Sequence, residues 1–216
     1  TPLLIFLGIP PVVAVGSEAP HVLATSVSGF IAHWRKKNVD IKMGIFLLIG
    51  GLIGSTVGVN LFNYLKSYGQ IDLVIQLLFI FFLGFIGFSM AFESAKTTIS
   101  HYRSRGLQRT KLHQHSWFHG LPFKIRFRRS KLYISAIPPV IIGFIVGIMS
   151  AMMGVGGGFI MIPAMVYILG MPTSIVVGTS LFQIIFVTAN ATFFQSYINY
   201  NVDIVLSALM IFGGVV

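Results

Sequence analysis

Gly154-Val155-Gly156-Gly157-Gly158 places four glycines in five residues, between the apolar runs Ile134 to Met153 and Phe159 to Leu169. Glycine gives up side-chain packing and lets the backbone leave a helix or be approached closely. A soluble chain could use such a loop for phosphate, but here both flanks are as hydrophobic as membrane spans. Non-helical backbone at that depth survives only where it is buried in protein or faces a water-filled cavity. The stretch therefore reads as a break in a membrane helix beside a solute path. Close helix packing through small residues is the competing explanation.

The composition points the same way. Of 216 residues 55% are hydrophobic and only 9% charged, with a mean hydropathy of +0.87, whereas about a quarter of the residues in an ordinary soluble domain are charged. The chain reads as an all-α polytopic membrane protein. It has no cysteine, which excludes disulfides, iron–sulfur clusters and Cys-ligated zinc. Thr1 is not an initiator methionine, and Met210 to Val216 is an apolar run, so both ends read as truncated and the number of spans stays open.

A net charge of +10 invites nucleic acid, yet the bases are distributed otherwise. Arg35, Lys36, Lys37 and Lys42 share one short segment, ten more Lys and Arg lie from Lys96 to Lys131, and only Lys66 falls elsewhere. That is the positive-inside pattern of a multi-pass protein of the inner membrane, and no nucleic-acid partner is expected. The segments are 1–62, a first membrane repeat; 63–92, a linking helix; 93–131, a basic cytoplasmic loop; and 132–216, a second repeat. Spans are expected at Val12 to Trp34, Met43 to Phe62 and Ile71 to Phe92, each long enough for a hydrocarbon core of about 30 Å. The basic loop is expected to rest on anionic lipid, with Phe118, Phe123, Ile125 and Phe127 suited to the interface. His113, His115 and His119 lack a cysteine or carboxylate to complete a metal site. No metal or cofactor is expected.

The second half of the chain rewrites the first. Gly8-x-Pro10 with Gly16-Ser17 matches Gly170-x-Pro172 with Gly178-Thr179 at an offset of 162 residues, and Asn38-Val39-Asp40-Ile41 recurs as Asn201-Val202-Asp203-Ile204 at 163. Copy one carries Arg35-Lys36-Lys37 just before that motif, and copy two carries the uncharged Ile198-Asn199-Tyr200. Since charge asymmetry sets orientation, the copies are predicted to be inverted, with 158–169 as a half-helix too short to span. Inverted repeats with broken helices are the architecture of secondary transporters, which bind their solute at the repeat interface near mid-membrane.

A half-helix starting at Gly156, Gly157 and Gly158 would point free N–H groups at a small anionic solute. On a helical wheel Thr179, Gln183 and Asn190 form one polar stripe with Ser180 to its side, and Ser17, His21 and Ser28 form the matching one. If the stripes face each other they line a polar cavity; if not, their side chains satisfy neighbouring helices. Glu18 is a carboxylate in a membrane helix, which defaults to a functional role. With His21 three residues on it is the candidate proton-coupling pair, although Pro20 between them threatens the turn that would join them. Asp40 and Asp203, at span starts, read as helix N-caps.

The Gly154 to Gly158 break, Val177-Gly178-Thr179-Ser180, and the turn from Ala32-His33-Trp34-Arg35 to Asn38-Val39-Asp40 together resemble the sulfite exporter TauE/SafE family of membrane transporters. The resemblance covers roughly 1–60 and 135–216. It implies export of a small sulfur-containing oxyanion, sulfite or an organosulfonate. Copy one has Glu18 where copy two has Ser180, which favours a variant coupling or cargo. A homo-oligomer is compatible with this architecture. The alternative from another class is a non-transporting scaffold or sensor acting through the basic 93–131 loop. An enzyme is not expected, because no Ser/His/Asp order or paired carboxylates support catalysis.

Overall fold

The computed structural model describes residues 1–103, 124–127, 129–130 and 132–215. His113, His115, His119, Phe118 and Phe123 lie outside the described residues. The described chain forms α1 (Pro2–Phe6), α2 (Pro11–Arg35), α3 (Ile41–Ser67), α4 (Ile71–Arg103), β1 (Lys124–Phe127), β2 (Leu132–Ser135), α5 (Ile137–Met153), α6 (Gly158–Pro163), a π-helical turn (Ala164–Ile168), α7 (Thr173–Tyr197) and α8 (Ile204–Val215). Among the described residues three helices are long and apolar enough to cross a membrane: Ile41–Ser67, the Ile71–Phe92 part of α4, and Thr173–Tyr197. At 25 residues α2 matches α7 in length. Its Ser17, Glu18, His21, Thr25, Ser26, Ser28 and His33 make it more polar.

Glycine sets how closely the bundle packs. A Cβ at Gly50, Gly54, Gly143 or Gly147 would run into the backbone carbonyl oxygen of Val140, Phe144, Leu47 or Gly51 respectively. The α3 and α5 backbones thus lie against each other with no side chain between them. In lipid, which competes for apolar surface as well as leucine does, such close backbone approach is what drives helix association. Small-residue packing, offered by the sequence as one account of Gly154 to Gly158, is the governing feature of this helix pair.

Around α3 and α5 sit two apolar clusters. One gathers Met43, Leu47, Val146, Met161, Met165, Leu169 and Val176, and the other joins Phe62, Ile71, Ile75 and Phe79 to Val15, Met149 and Met153. The second is the main attachment of α4. Of Ile71–Phe92 only Ile71, Ile75 and Phe79 are buried, and Phe81, Phe85, Phe88 and Phe92 lie exposed along it. In a membrane protein such a surface suits lipid tails.

The all-α expectation needs one correction. Lys124–Phe127 pairs antiparallel with Leu132–Ser135, Lys124 opposite Ser135 and Phe127 opposite Leu132. This hairpin falls in and just after the stretch read as a solvated basic loop. It is folded because Phe127 is fully buried, edge-on to Phe46 at 6.0 Å between ring centres. Its tip is also tied down. Arg129 Nη1 donates to the carbonyls of Val39 at 2.9 Å and Lys37 at 3.3 Å, and the Ser130 amide and hydroxyl both donate to Asp40 Oδ2 at 3.0 and 2.7 Å. At the other end, α4 continues as helix to Arg103, beyond the expected boundary at 92.

The two halves contact each other through corresponding residues. α2 and α7 pair antiparallel, with Gly29 against Leu181 and Phe30 5.8 Å from Phe182. Gly16 packs on the Asn201 backbone carbonyl and Gly178 on that of Asn38. Gly51 packs on the Gln183 side chain and Gly214 on that of His21. The same offsets of 162 and 163 relate the members of each pair. Even the turn conformation repeats: Lys37 (φ 57°) and Tyr200 (φ 51°) are the non-glycine left-handed residues among the described residues, a conformation that side chains disfavour.

Candidate functional site

The glycine stretch interrupts the helix between Met153 and Gly158. Gly154, Gly156 and Gly157 have φ of 71°, 71° and 68°, a region that costs a residue with a Cβ about 1–2 kcal/mol. Gly154 ends α5 in the left-handed conformation, its N–H donating to Ser150 O at 2.9 Å. The chain restarts as α6, but Pro163 has no N–H to continue the ladder, and the next turn widens to a π-helix over Ala164–Ile168. Gly156 lies against Val22 of α2 and Ile184 and Thr188 of α7, Gly157 against Val146 and Ser150 of α5, and Gly158 against Ile184. The break thus sits where α2, α5 and α7 meet. Among the described residues, the amides of Gly156 and Gly157 make no hydrogen bond.

The polar stripes of α2 and α7 do not face each other. The α7 stripe faces α3: Thr179 Oγ1 accepts from the Asp40 amide at 3.0 Å, Gln183 packs on Gly51, and Asn190 Nδ2 donates to Ser55 Oγ at 2.8 Å and Thr56 Oγ1 at 3.2 Å. The α2 stripe faces α8: Ser17 Oγ accepts from the Asp203 amide at 2.9 Å, His21 packs on Gly214, and Ser28 is exposed. Ser180 bonds back to the Val177 carbonyl at 2.9 Å. From the antiparallel pairing and 1.5 Å rise per residue, Ser17 and Thr179 stand about 20 Å apart along the α2–α7 pair. One small ion cannot touch both.

Asp40 and Asp203 are N-caps, as their positions suggest. Asp40 Oδ1 accepts from the Met43 amide at 3.3 Å, and Asp203 Oδ1 from the Val205 and Leu206 amides at 2.9 and 3.1 Å. The carboxylate of Asp40 also holds the hairpin. Lys66 serves the opposite turn, donating to Asn201 Oδ1 at 2.8 Å, while the Asn199 and Asn201 amides both donate to Gln195 Oε1.

Glu18 and His21 do come together. α2 runs unbroken through Pro20, so the one-turn spacing holds and His21 Nδ1 lies 3.9 Å from Glu18 Oε1. Glu18 Oε2 accepts from the Thr1 hydroxyl at 3.1 Å. His21 Nδ1 is buried and has no hydrogen-bond partner.

One residue escaped the sequence reading. Ser150 is the single polar side chain of Ile137–Met153, it is 2% exposed, and its hydroxyl has no partner. Other helical hydroxyls here, at Thr25, Ser55, Thr56, Ser89 and Thr188, bond back to a carbonyl three or four residues earlier. A lone serine one turn before a glycine break in an apolar helix is the signal that marks it.

The family described as sulfite exporter TauE/SafE matches residues 1–216. Among curated proteins, the "Probable membrane transporter protein YjnA" of Bacillus subtilis (strain 168) is 27% identical over 216 residues, all of this chain and 76% of that protein. The "Probable membrane transporter protein YunE" of the same organism is 27% identical over 180 residues, 83% of this chain and 60% of that protein. No solved structure matches the chain. A match along the entire chain, on a bundle of membrane-length helices around a glycine break, identifies it: the chain belongs to the sulfite exporter TauE/SafE family and is a membrane transporter.

Proposed function

We propose that the protein is a secondary transporter that exports a small sulfur-containing oxyanion, sulfite or an organosulfonate, across the cell membrane. Its two copies are inverted, and the solute binds at the glycine break between them. The observation that carries this reading is the reciprocity of contacts: Asp40 with Thr179 and Asp203 with Ser17 at 3.0 and 2.9 Å, and Gly51 with Gln183 and Gly214 with His21. Two like halves holding each other through like residues, on an antiparallel α2–α7 pair, fit the plan by which transporters expose one site to each side in turn.

In this reading the free amides of Gly156 and Gly157, the start of α6 at Gly158, and the Gln183 amide contact the solute. Ser17, Thr179, Ser180 and Asn190, all committed to neighbouring backbone or side chains, form the frame that positions them. Glu18 and His21 carry the proton that drives the cycle, a role suited to a carboxylate and an imidazole one turn apart within a membrane helix. The test is flux in proteoliposomes. Labelled sulfite and methanesulfonate should show saturable movement that responds to an imposed pH gradient, and protein shown to be folded that moves neither would overturn the reading.

A further inference from the structure

Two buried polar atoms without partners lie on α5 and α7, two of the helices that meet at the glycine break. They are the Ser150 hydroxyl and Gln183 Oε1, on residues 2% and 1% exposed. A polar group buried unpaired is costly, and such groups persist where something else satisfies them. Their contacts make a ring once the chain neighbours Gln183 and Ile184 and the helical turn from Gly147 to Ser150 are included. Ser150 abuts Gly157, Gly158 abuts Ile184, Gln183 abuts Gly51, and Gly51 abuts Gly147, one helical turn before Ser150. Within this ring the Gly156 and Gly157 amides are free donors, and no side chain among those named carries a charge.

Resting on the transport reading above, we infer that Ser150 and Gln183 contact the solute directly and that the site selects singly charged oxyanions over doubly charged ones. The cost of burying an ion rises with the square of its charge, so a dianion is about four times as expensive to desolvate as a monoanion of the same size. Three neutral donors meet a smaller share of a dianion's charge and lone pairs than of a monoanion's. A site made of the Ser150 hydroxyl and two amides supplies three such donors. Gln183 Oε1 is an acceptor, which an anion cannot satisfy with its own oxygens. It is satisfied by a hydroxyl on the solute, so a monoanion carrying an O–H uses every free group in the ring.

The experiment uses the full chain in phosphatidylethanolamine–phosphatidylglycerol liposomes, with labelled methanesulfonate, hydroxymethanesulfonate and sulfate. In the unmodified protein both sulfonates should move saturably, with hydroxymethanesulfonate half-saturating at the lower concentration and sulfate slower by at least about tenfold. Ser150→Ala should raise half-saturation for both sulfonates about tenfold, the loss of a hydrogen bond to a charged group. Gln183→Leu should erase the advantage of the hydroxylated one. Sulfate moving as fast as the sulfonates in the unmodified protein would overturn the inference and leave the transporter reading standing. So would unchanged half-saturation in Ser150→Ala protein that still elutes as a folded species. No flux of any of the three would overturn the oxyanion reading itself, and this inference with it.

Discussion

The Asp203 amide donates to Ser17 Oγ at 2.9 Å across 186 residues of chain. The corresponding amide, of Asp40, donates to Thr179 Oγ1 at 3.0 Å. The bonds tie the start of α8 to the polar stripe of α2 and the start of α3 to that of α7, in each case across the two halves. The hydroxyls accept, so they stabilise helix starts that a side-chain cap alone leaves incomplete. Ser17→Ala and Thr179→Val should each cost about 1 kcal/mol of stability. At a separation of about 20 Å the two losses should add. Thermal unfolding of the single and double variants in detergent checks this.

The glycine contacts between α3 and α5 give a second prediction. Gly54→Val would drive a side chain into the Phe144 backbone, which has nowhere to move, whereas a Cβ at Gly84 of α4 meets nothing within 4 Å. Overpacking of this kind costs about 1–3 kcal/mol or more. Gly54→Val should therefore fail to give a monodisperse species on size-exclusion chromatography, and Gly84→Ala should behave as the unmodified protein.

The hairpin gives a third. Asp40 is 3% exposed, and removing the Ser130 hydroxyl leaves its Oδ2 with one donor fewer in a buried place. Ser130→Ala should destabilise by about 1–3 kcal/mol, the cost of a less satisfied buried charge. Arg126→Ala, on an exposed residue of the same strand, should stay within about 0.5 kcal/mol of the unmodified protein. Differential scanning fluorimetry separates the two.

For coupling, Glu18→Gln and His21→Asn remove the two titratable groups that face each other at 3.9 Å. α8, which packs on His21 through Gly214, contributes no charged side chain. Each variant should retain downhill anion flux while losing accumulation driven by an imposed pH gradient, measured in the same liposomes.

Much of this architecture was legible in the residues. The recurrence of Asn-Val-Asp-Ile marked the two turns, Asp40 and Asp203 sat where caps belong, and the glycines of 154–158 lie between the end of α5 and the start of α6. What was not legible was which helix each polar stripe meets. A spacing of four and seven residues places Thr179, Gln183 and Asn190 on one face, yet their partners on α3 lie more than a hundred positions away. The hairpin was obscured for a similar reason. Lys124-Ile125-Arg126-Phe127 alternates polar and apolar as a strand does, but its basic residues matched a lipid-facing loop equally well. What holds it is a cluster that includes Phe46 and Met165. Ser150 escaped attention because one serine in seventeen residues contributes almost nothing to a hydropathy profile.

The absence of cysteine makes the central claim directly measurable. Lys37 and Tyr200 occupy matching left-handed positions in the two turns, and inverted copies put those turns on opposite faces of the membrane. With Lys37→Cys and Tyr200→Cys made separately in the full chain, a membrane-impermeant maleimide applied to intact cells should label Cys at 200 and spare Cys at 37 until the membrane is opened. Labelling of both positions from the same side would contradict the inverted arrangement and the transport mechanism built on it.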